Sequence, residues 1–369
     1  MRFVLNSKNN TSAAYHVCVK GIGNQLAQLG HEVAYNDWEN YGRYDVVIFM
    51  ARDADSEYAR SVNAKILIGV ADPKPSTLQE ARDADFCIVS SIEQREAFLP
   101  VNRNQFIYYM IPHFDCEYIV HKPKDLYRII YHGNKVHLNG SYCGLVPALN
   151  ELGKKYPIQF DAIYNIRELG PWTLGRPNDR VCLTRDLQWY PNCYQEYFPG
   201  GDIGVVQNYT PWRFESLVRR LGKASRLLLL EDPYDHWVKC KSSSNAGRAF
   251  VFGYFGIPVV ADAVPSMGDA ITDGFSGRLV MTAEGWYDAL EELISSHDSR
   301  QYLADNFYQS ITERFSPEVS TRRLVDYVYN LSVKPNVAIQ REAPSLLSEA
   351  IGTLSKRLLL KARRRGSFK

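Results

Sequence analysis

Short apolar runs alternate with longer helix-like stretches along the first 115 residues. The pattern predicts a helix over Ala13–Leu29, closed by Gly30. The apolar runs have the length of buried strands, and they are Arg2–Leu5, His31–Tyr35, Asp45–Met50, Lys65–Val70, Phe86–Ser90 and Gln105–Ile111. Because helical segments separate these strands, the pattern predicts a parallel, doubly wound sheet.

A second alternation begins after the polar segment 116–126, which we interpret as a hinge linker. Helices are predicted at Tyr142–Lys155 and from Trp286 to about Leu331, and strands at Tyr127–Tyr131, Ile158–Tyr164, Asp202–Val206 and Ile257–Ala261. The predicted fold class is therefore α/β, with two Rossmann-like doubly wound domains, 1–115 and 127–331, facing a central cleft. Since ligands bind at the carboxyl ends of parallel strands, the loops after Leu5, Val70, Tyr131 and Val206 should line it.

Composition narrows the class of protein. The chain has 369 residues, which suits two domains, and its net charge of only +2 argues against nucleic acid as a partner. It has no apolar run of 18 residues, and its first residues lack a signal-peptide core. Seven scattered cysteines include no C-x-x-C pair, which favours reduced thiols over disulfides or a zinc site. We therefore predict a cytoplasmic protein.

Two basic segments interrupt this pattern. The first segment, 211–240, carries five arginines and lysines up to Arg226, beside apolar residues at helical spacing. The second lies in the tail 332–369, where residues 356–369 include seven basic residues and no acid. Either segment could be a solvated basic face. Together they also suit attachment to an anionic membrane surface, which would make the protein peripheral on the inner face of the membrane.

The segment Lys241–Asp262 carries the sharpest chemical signal. Asn245 and the preceding serines, among them Ser243 and Ser244, can cap a helix that ends at Gly256. Arg248 lies in the first turn of that helix, where the helix dipole disfavours a cation, so it suggests an anionic ligand. The alternative is that these polar residues only cap a helix whose aromatic residues fill the core.

The layout resembles the bacterial glycosyltransferases of the GT-B fold, in particular the nucleotide-sugar-dependent group with retaining chemistry. The resemblance is carried by DIGVVQ at 202–207, GIPVVAD at 256–262, DGFSGRLV at 273–280, ERF at 313–315, IIYHGNKV at 129–136 and IPHFD at 111–115. It covers most of residues 1–331 and is more specific in the second domain than in the first.

The resemblance implies a donor site for a nucleotide diphosphate sugar in the second domain. Donor-binding residues would be Gly133, Lys135, Lys241, Ser243, Ser244, Asn245 and Arg248. Cations and backbone N–H groups would stabilise the diphosphate leaving group, with neither a metal nor a further cofactor. Lys135 taken alone could equally be a solvated loop lysine. The acceptor would be a hydroxyl of a surface glycan or a lipid-linked glycan.

Two departures from the family pattern concern the chemistry. The two glutamates that many members carry fall here on Ser243 and Val251. In LIGVADP, Ala71 replaces the histidine of a His-Asp pair and leaves Asp72 as the candidate for activating the acceptor hydroxyl. Asp72 followed by two prolines is also ordinary turn chemistry.

Other polar motifs left alternatives open. His132 and His137 flank the predicted donor loop, where they could face the diphosphate or lie on the polar surface. ARDAD occurs at 51–55 and 81–85, each time with an Asp-x-Asp pair. The second copy suits a surface connection, whereas the first could edge the cleft, although such a pair needs further oxygen ligands to hold a metal ion. Rival functions are a catalytically silent glycan- or nucleotide-binding subunit, favoured by the missing glutamates and histidine, and a nucleotide-sugar epimerase.

Overall fold

The protein was analysed as a computed structural model, which describes residues 1–10, 15–109, 116–139, 144–173, 175–208 and 245–333. One compact unit runs from Met1 to Tyr327, and a second from Val328 onward. The basic segments 211–240 and 356–369, together with Lys241, Ser243 and Ser244, lie outside the described residues. Among the helices of the described ranges, none is both long and apolar enough to span a membrane.

The first sheet is parallel throughout, with the strand order β2-β1-β3-β4-β5-β6. Its strands are β1 Arg2–Asn6, β2 Glu32–Tyr35, β3 Val46–Met50, β4 Leu67–Ala71, β5 Phe86–Val89 and β6 Gln105–Ile107. Every residue of β3 and β5 is buried, as their apolar sequences require. All six predicted strands are confirmed, although β6 is shorter than predicted.

The second sheet is also parallel, with the order β12-β11-β10-β7-β8-β9. Its strands are β7 Tyr127–His132, β8 Ile158–Tyr164, β9 Cys182–Gln188, β10 Ile203–Val206, β11 Val259–Asp262 and β12 Arg278–Val280. The prediction of two doubly wound sheets is confirmed. The two outermost strands, β9 and β12, were missed, because β9 carries charged side chains and β12 has only three residues.

Helices connect the strands of both sheets. In chain order they are α1 Ile22–Gln28, α2 Ser56–Val62, α3 Leu78–Asp83, α4 Ile92–Phe98, α5 Lys135–Leu138, α6 Leu145–Leu152, α7 Ile166–Leu169, α8 Cys193–Tyr197, α9 Gly247–Tyr254, α10 Pro265–Ala270, α11 Ala283–Ser295, α12 His297–Phe315 and α13 Pro317–Val333. A π-helical segment, Tyr15–Gly21, precedes α1, so the predicted first helix has two different windings. Gly30 and Gly256 have φ of 84° and 72°, the left-handed conformation predicted for a residue that ends a helix.

The two domains contact each other through residues after β6 and the last helices. The Tyr108 and Thr321 hydroxyls lie 2.9 Å apart, and the Tyr109 hydroxyl donates to Asp269 Oδ2 at 2.7 Å. The ring of Tyr327 packs against Phe86 and Phe106 of the first sheet. These contacts place the carboxyl edges of the two sheets within one compact unit.

Residues 116–126 lie against the second domain. Ile119 N donates to Phe255 O at 2.8 Å, and His121 Nε2 donates to Gly256 O at 2.8 Å. Gln301 accepts a hydrogen bond from His121 N at 2.8 Å, and the buried Arg300 donates to Lys122 O at 2.9 Å. Burial lowers the pKa of His121, so its ring is neutral near pH 7. The segment is therefore anchored to α9 and α12.

A glycine in β10 allows α9 to pack on the second sheet. A Cβ atom on Gly204 would lie 2.6 Å from Cδ1 of the buried Phe252. We therefore expect Gly204→Ala to lower the free energy of unfolding by about 1–3 kcal/mol, as overpacking does. Gly268→Ala in α10 is the control, because no atom lies within 4 Å of its added Cβ. Urea denaturation measures both, and equal midpoints for the two variants would contradict this account of the packing.

Candidate functional site

The second sheet has a topological switch point between β7 and β10. The chain runs outward from β7 to β8 and β9 on one side, and from β10 to β11 and β12 on the other. Tyr131 in β7 pairs with Val205 in β10, so the strands end side by side at His132 and Val206. Ligands of open parallel sheets bind in the crevice at such a point.

Arg248 reaches this switch point from the first turn of α9. Its guanidinium donates to Gln207 O at 3.2 Å and to Asn208 Oδ1, directly after β10. Burial lowers the pKa of Arg248, whereas the neighbouring Tyr131 and Asp262 act in the opposite direction. Tyr131 and Asp262 therefore do not fully replace the hydration that this partly buried cation has lost. Binding of an anion beside the guanidinium would be favourable.

Gly133 leaves room beside this guanidinium. Its φ of 152° suits glycine, and an added Cβ atom would lie 2.7 Å from the Tyr131 hydroxyl oxygen and 3.2 Å from Arg248 Nη1. Its N–H donates to Ile163 O at 3.0 Å, which fixes the loop to β8. Two of the predicted donor-site residues, Gly133 and Arg248, are thus brought together.

Two amide side chains at the same edge each have one polar atom without a partner in the described part of the chain. Gln207 and Asn208 are 2% and 0% exposed, yet Gln207 Oε1 accepts no hydrogen bond there and Asn208 Nδ2 donates none. Asn208 N donates to Asp262 Oδ2 at 2.5 Å, which fixes the backbone at the end of β10. Unsatisfied buried polar atoms are rare in native proteins, and beside an arginine they indicate a site for a polar ligand.

His132 has a structural role. It is the last residue of β7, and its Nε2 donates to the Arg248 carbonyl oxygen at 2.8 Å. Its ring contacts those of Tyr194, Phe198 and Phe252 edge-on. Burial lowers the pKa of His132 to about 3, so it is neutral near pH 7. The interpretation of His132 as polar surface is wrong, because β7 extends one residue further than predicted and carries this ring into the core.

Lys135 points toward the turn that follows β8. It is the first residue of α5, and its Nζ donates to Leu169 O at 2.6 Å. The contact directs the ammonium toward the helix α7 that follows β8, and it does not join Lys135 to Arg248. His137, in the same short helix, is buried at 2% exposure, so its prediction as polar surface is also wrong.

Asn245 lies one residue before Ala246, the N-cap of α9, and its side chain bonds the first N–H of the helix. Its Oδ1 accepts a hydrogen bond from Gly247 N at 2.9 Å, where the helix begins. Val251, the position of the second family glutamate, is 1% exposed and packs in the core. A carboxylate there would be buried among apolar side chains, so the structure needs a hydrophobic residue at this position.

Asp72 lies in the first domain, directly after β4. Its φ of 53° is left-handed, which is uncommon for a residue with a Cβ atom. Its Oδ1 accepts hydrogen bonds from Lys74 Nζ at 2.6 Å and Gln94 Nε2 at 3.3 Å, and its side chain is 14% exposed. Asp72 therefore combines the predicted turn with a carboxylate at the ligand-binding edge of its sheet.

The Asp-x-Asp pairs bind the protein's own backbone. Asp53 accepts a hydrogen bond from Lys8 N at 2.9 Å, and Asp85 accepts one from Ile68 N at 2.8 Å. Within the described ranges, no group of three or more histidine, cysteine or acidic side chains is placed to hold a metal ion. The Asp85 contact agrees with the interpretation of the second motif as a surface connection, and the Asp53 contact ties the first motif to the loop after β1.

Comparison with known proteins identifies the fold. No protein-family model and no curated protein matches the sequence. Among solved structures, a glycosyltransferase from Rickettsia africae is 10% identical, with a TM-score of 0.56 and coverage of 91% of this chain and 99% of its own. Sucrose-phosphate synthase from Thermosynechococcus elongatus is 12% identical, with a TM-score of 0.55 and coverage of 90% and 100%. HepE of Anabaena, in complex with UDP-glucose, is 11% identical, with a TM-score of 0.53 and the same coverages.

These similarities extend over both domains of the described unit. The chain has the two-domain GT-B fold, with two six-stranded parallel sheets and flanking helices, as the sequence predicted. The candidate site at Gly133 and Arg248 lies in the second domain of this fold.

Proposed function

We propose that the protein is a glycosyltransferase that moves a sugar from a nucleotide diphosphate sugar to an acceptor hydroxyl. The observation that carries the proposal is the partly buried Arg248 at the switch point of the second sheet, at the start of α9. The fold supports it, since the similar HepE structure contains UDP-glucose. An arginine at the positive end of a helix dipole and a glycine that lets a ligand approach suit a diphosphate.

In the proposed reaction the bond between the sugar's anomeric carbon and the diphosphate oxygen breaks. A new bond forms from that carbon to the acceptor oxygen, whose proton passes to a base. Arg248 and the positive end of the α9 helix dipole stabilise the negative charge that develops on the diphosphate. Lys135 adds charge by exchanging Leu169 O for a phosphate oxygen, and the amides of Gln207 and Asn208 bind polar groups of the donor.

Asp72 is our candidate base for the acceptor hydroxyl, and a glycan or lipid-linked glycan is the proposed acceptor. We expect Asp72→Asn to lower transfer at least about 100-fold, since it removes general base catalysis, and to leave donor binding unchanged. Release of nucleoside diphosphate from a panel of nucleotide sugars with candidate acceptors measures transfer. Full transfer by the variant would reduce Asp72 to a turn residue.

A catalytically silent subunit is the second candidate, favoured by Val251 and Ala71 at positions where the family carries chemistry. Such a protein binds nucleotide or glycan without converting it. Turnover of any nucleotide sugar in the assay above excludes this alternative.

We also propose that the two basic segments, 211–240 and the tail from 356, hold the enzyme at the inner face of a membrane. We expect the full chain to float with vesicles of anionic lipid and to lose this binding when the basic residues of both segments are neutralised. Unchanged flotation of the neutralised variant would contradict the proposal.

A further inference from the structure

The first turn of α4 contacts both domains. Ser91 caps this helix, with its Oγ accepting a hydrogen bond from Gln94 N at 2.9 Å. The next three residues form hydrogen bonds with different domains. Ile92 and Glu93 bond to Ser266 in the second domain, whereas Gln94 bonds to Asp72 in the first. The sequence pattern gives no indication of a role for this turn.

On one side, α4 meets the start of α10 through Ser266, which is fully buried. Ser266 Oγ accepts a hydrogen bond from Ile92 N at 2.9 Å and donates to Glu93 Oε2, and Ser266 N donates to Glu93 Oε1 at 3.1 Å. Two helix N-termini carry like partial charges, so they repel unless an anion lies between them. The Glu93 carboxylate supplies that anion, and the two helices are thereby held end to end.

On the other side, Gln94 fixes the turn that carries Asp72. Gln94 is 1% exposed, and its Oε1 accepts hydrogen bonds from Ser90 N at 2.7 Å and Ser90 Oγ at 2.9 Å. Its Nε2 donates to Pro73 O at 2.7 Å and to Asp72 Oδ1 at 3.3 Å. Left-handed backbone at Asp72 is unfavourable in itself, so these bonds stabilise it, together with the bond from Asp72 N to Ile88 O at 2.9 Å.

We propose that Glu93, Gln94 and Ser266 form a positioning relay, in which docking of α10 against α4 holds the Asp72 carboxylate in place. Asp72 is then fixed for reaction only while the second domain is docked. This inference rests on the proposed function for the chemical role of Asp72, and on the contacts alone for the relay.

Hydrogen–deuterium exchange followed by mass spectrometry tests the relay without requiring activity. The variants are Ser266→Ala and Glu93→Ala, with Glu93→Gln as the conservative change that keeps an acceptor oxygen. Glu96→Ala is the matched control, because Glu96 lies on the same helix but is exposed, and among the described residues it pairs with its neighbour Arg95.

We expect exchange in the peptide spanning residues 72–77 to be at least about fivefold faster in Ser266→Ala and Glu93→Ala, intermediate in Glu93→Gln and unchanged in the control. None of these side chains contacts Asp72 directly, so a local effect at Ser266 would leave that peptide unchanged. Unchanged exchange in both alanine variants, with α4 and α10 still protected, would overturn the relay.

Kinetics separate this inference from the proposed function. With an active enzyme, we expect Ser266→Ala to lower kcat at least about tenfold and to leave the Kd for nucleoside diphosphate within twofold of the wild type. An equal loss of donor affinity would overturn the assignment of the relay to Asp72. If the wild type converts no nucleotide sugar, the proposed function fails, and the exchange measurement still decides whether the relay exists.

Discussion

Replacing Arg248 with alanine is expected to weaken the binding of a nucleoside diphosphate by about 1.5–3 kcal/mol, or roughly 10- to 150-fold in Kd. The guanidinium lies at the end of β10 and the start of α9, and burial has already removed part of its hydration. A diphosphate would therefore form a charge-assisted contact with a cation that is already partly desolvated in the folded protein. Binding would not add that part of the desolvation cost. Isothermal titration calorimetry with UDP and GDP measures the effect.

Two further variants make the Arg248 experiment specific. Arg248→Lys keeps the charge but loses the planar fork that contacts Gln207 and Asn208, so we expect it to recover only part of the affinity. Arg322→Ala removes an exposed arginine that pairs with Glu318 on α13, and we expect no change. Wild-type affinity in Arg248→Ala would place the phosphate site elsewhere.

Replacing Asp161 with alanine is expected to lower the free energy of unfolding by about 3–5 kcal/mol. Asp161 lies in β8 with no exposed surface, and its two carboxylate oxygens accept hydrogen bonds from Arg128 Nε at 2.7 Å and from two nitrogens of Arg185 at 2.7 Å. Gln159 Nε2 donates a further bond at 3.0 Å. Without the carboxylate, two guanidinium groups are left without their counter-ion on this face of the sheet.

The control for this prediction is an ion pair at the surface. Asp45 pairs with Arg2 at 2.8 Å, and both side chains are more than two-fifths exposed, so Asp45→Ala should cost about 1 kcal/mol or less. Urea denaturation of both variants gives the comparison. A loss below about 1 kcal/mol for Asp161→Ala would show that water or other partners replace the carboxylate at the two arginines, of which Arg185 is 45% exposed.

The sequence predicted the inner strands of both sheets, and the structure shows why. Strands such as Val46–Met50 are buried along their whole length, so each appears as an unbroken apolar run. The edge strands β9 and β12 have one side without a neighbouring strand, and β9 tolerates Arg185 and Asp186. Their sequences therefore carry no comparable signal.

The site was predicted in part. Arg248 was singled out because a cation in a first helical turn is visible in sequence, and Gly133 because the resemblance to the family placed it in the donor loop. Gln207 and Asn208 were missed, although their position directly after a buried strand was a usable signal. His132 was misjudged because the number of residues in β7 decides whether it enters the core, and only packing fixes that number.

Calorimetric titration of the wild-type protein with UDP, GDP and their sugar conjugates, first without metal and then with magnesium, tests the central claim most directly. The account predicts binding of one nucleotide with a Kd in the micromolar range, roughly −8 kcal/mol, and its loss in Arg248→Ala. Absence of binding to every nucleotide under both conditions would contradict a donor site at Arg248 and favour a silent glycan-binding protein.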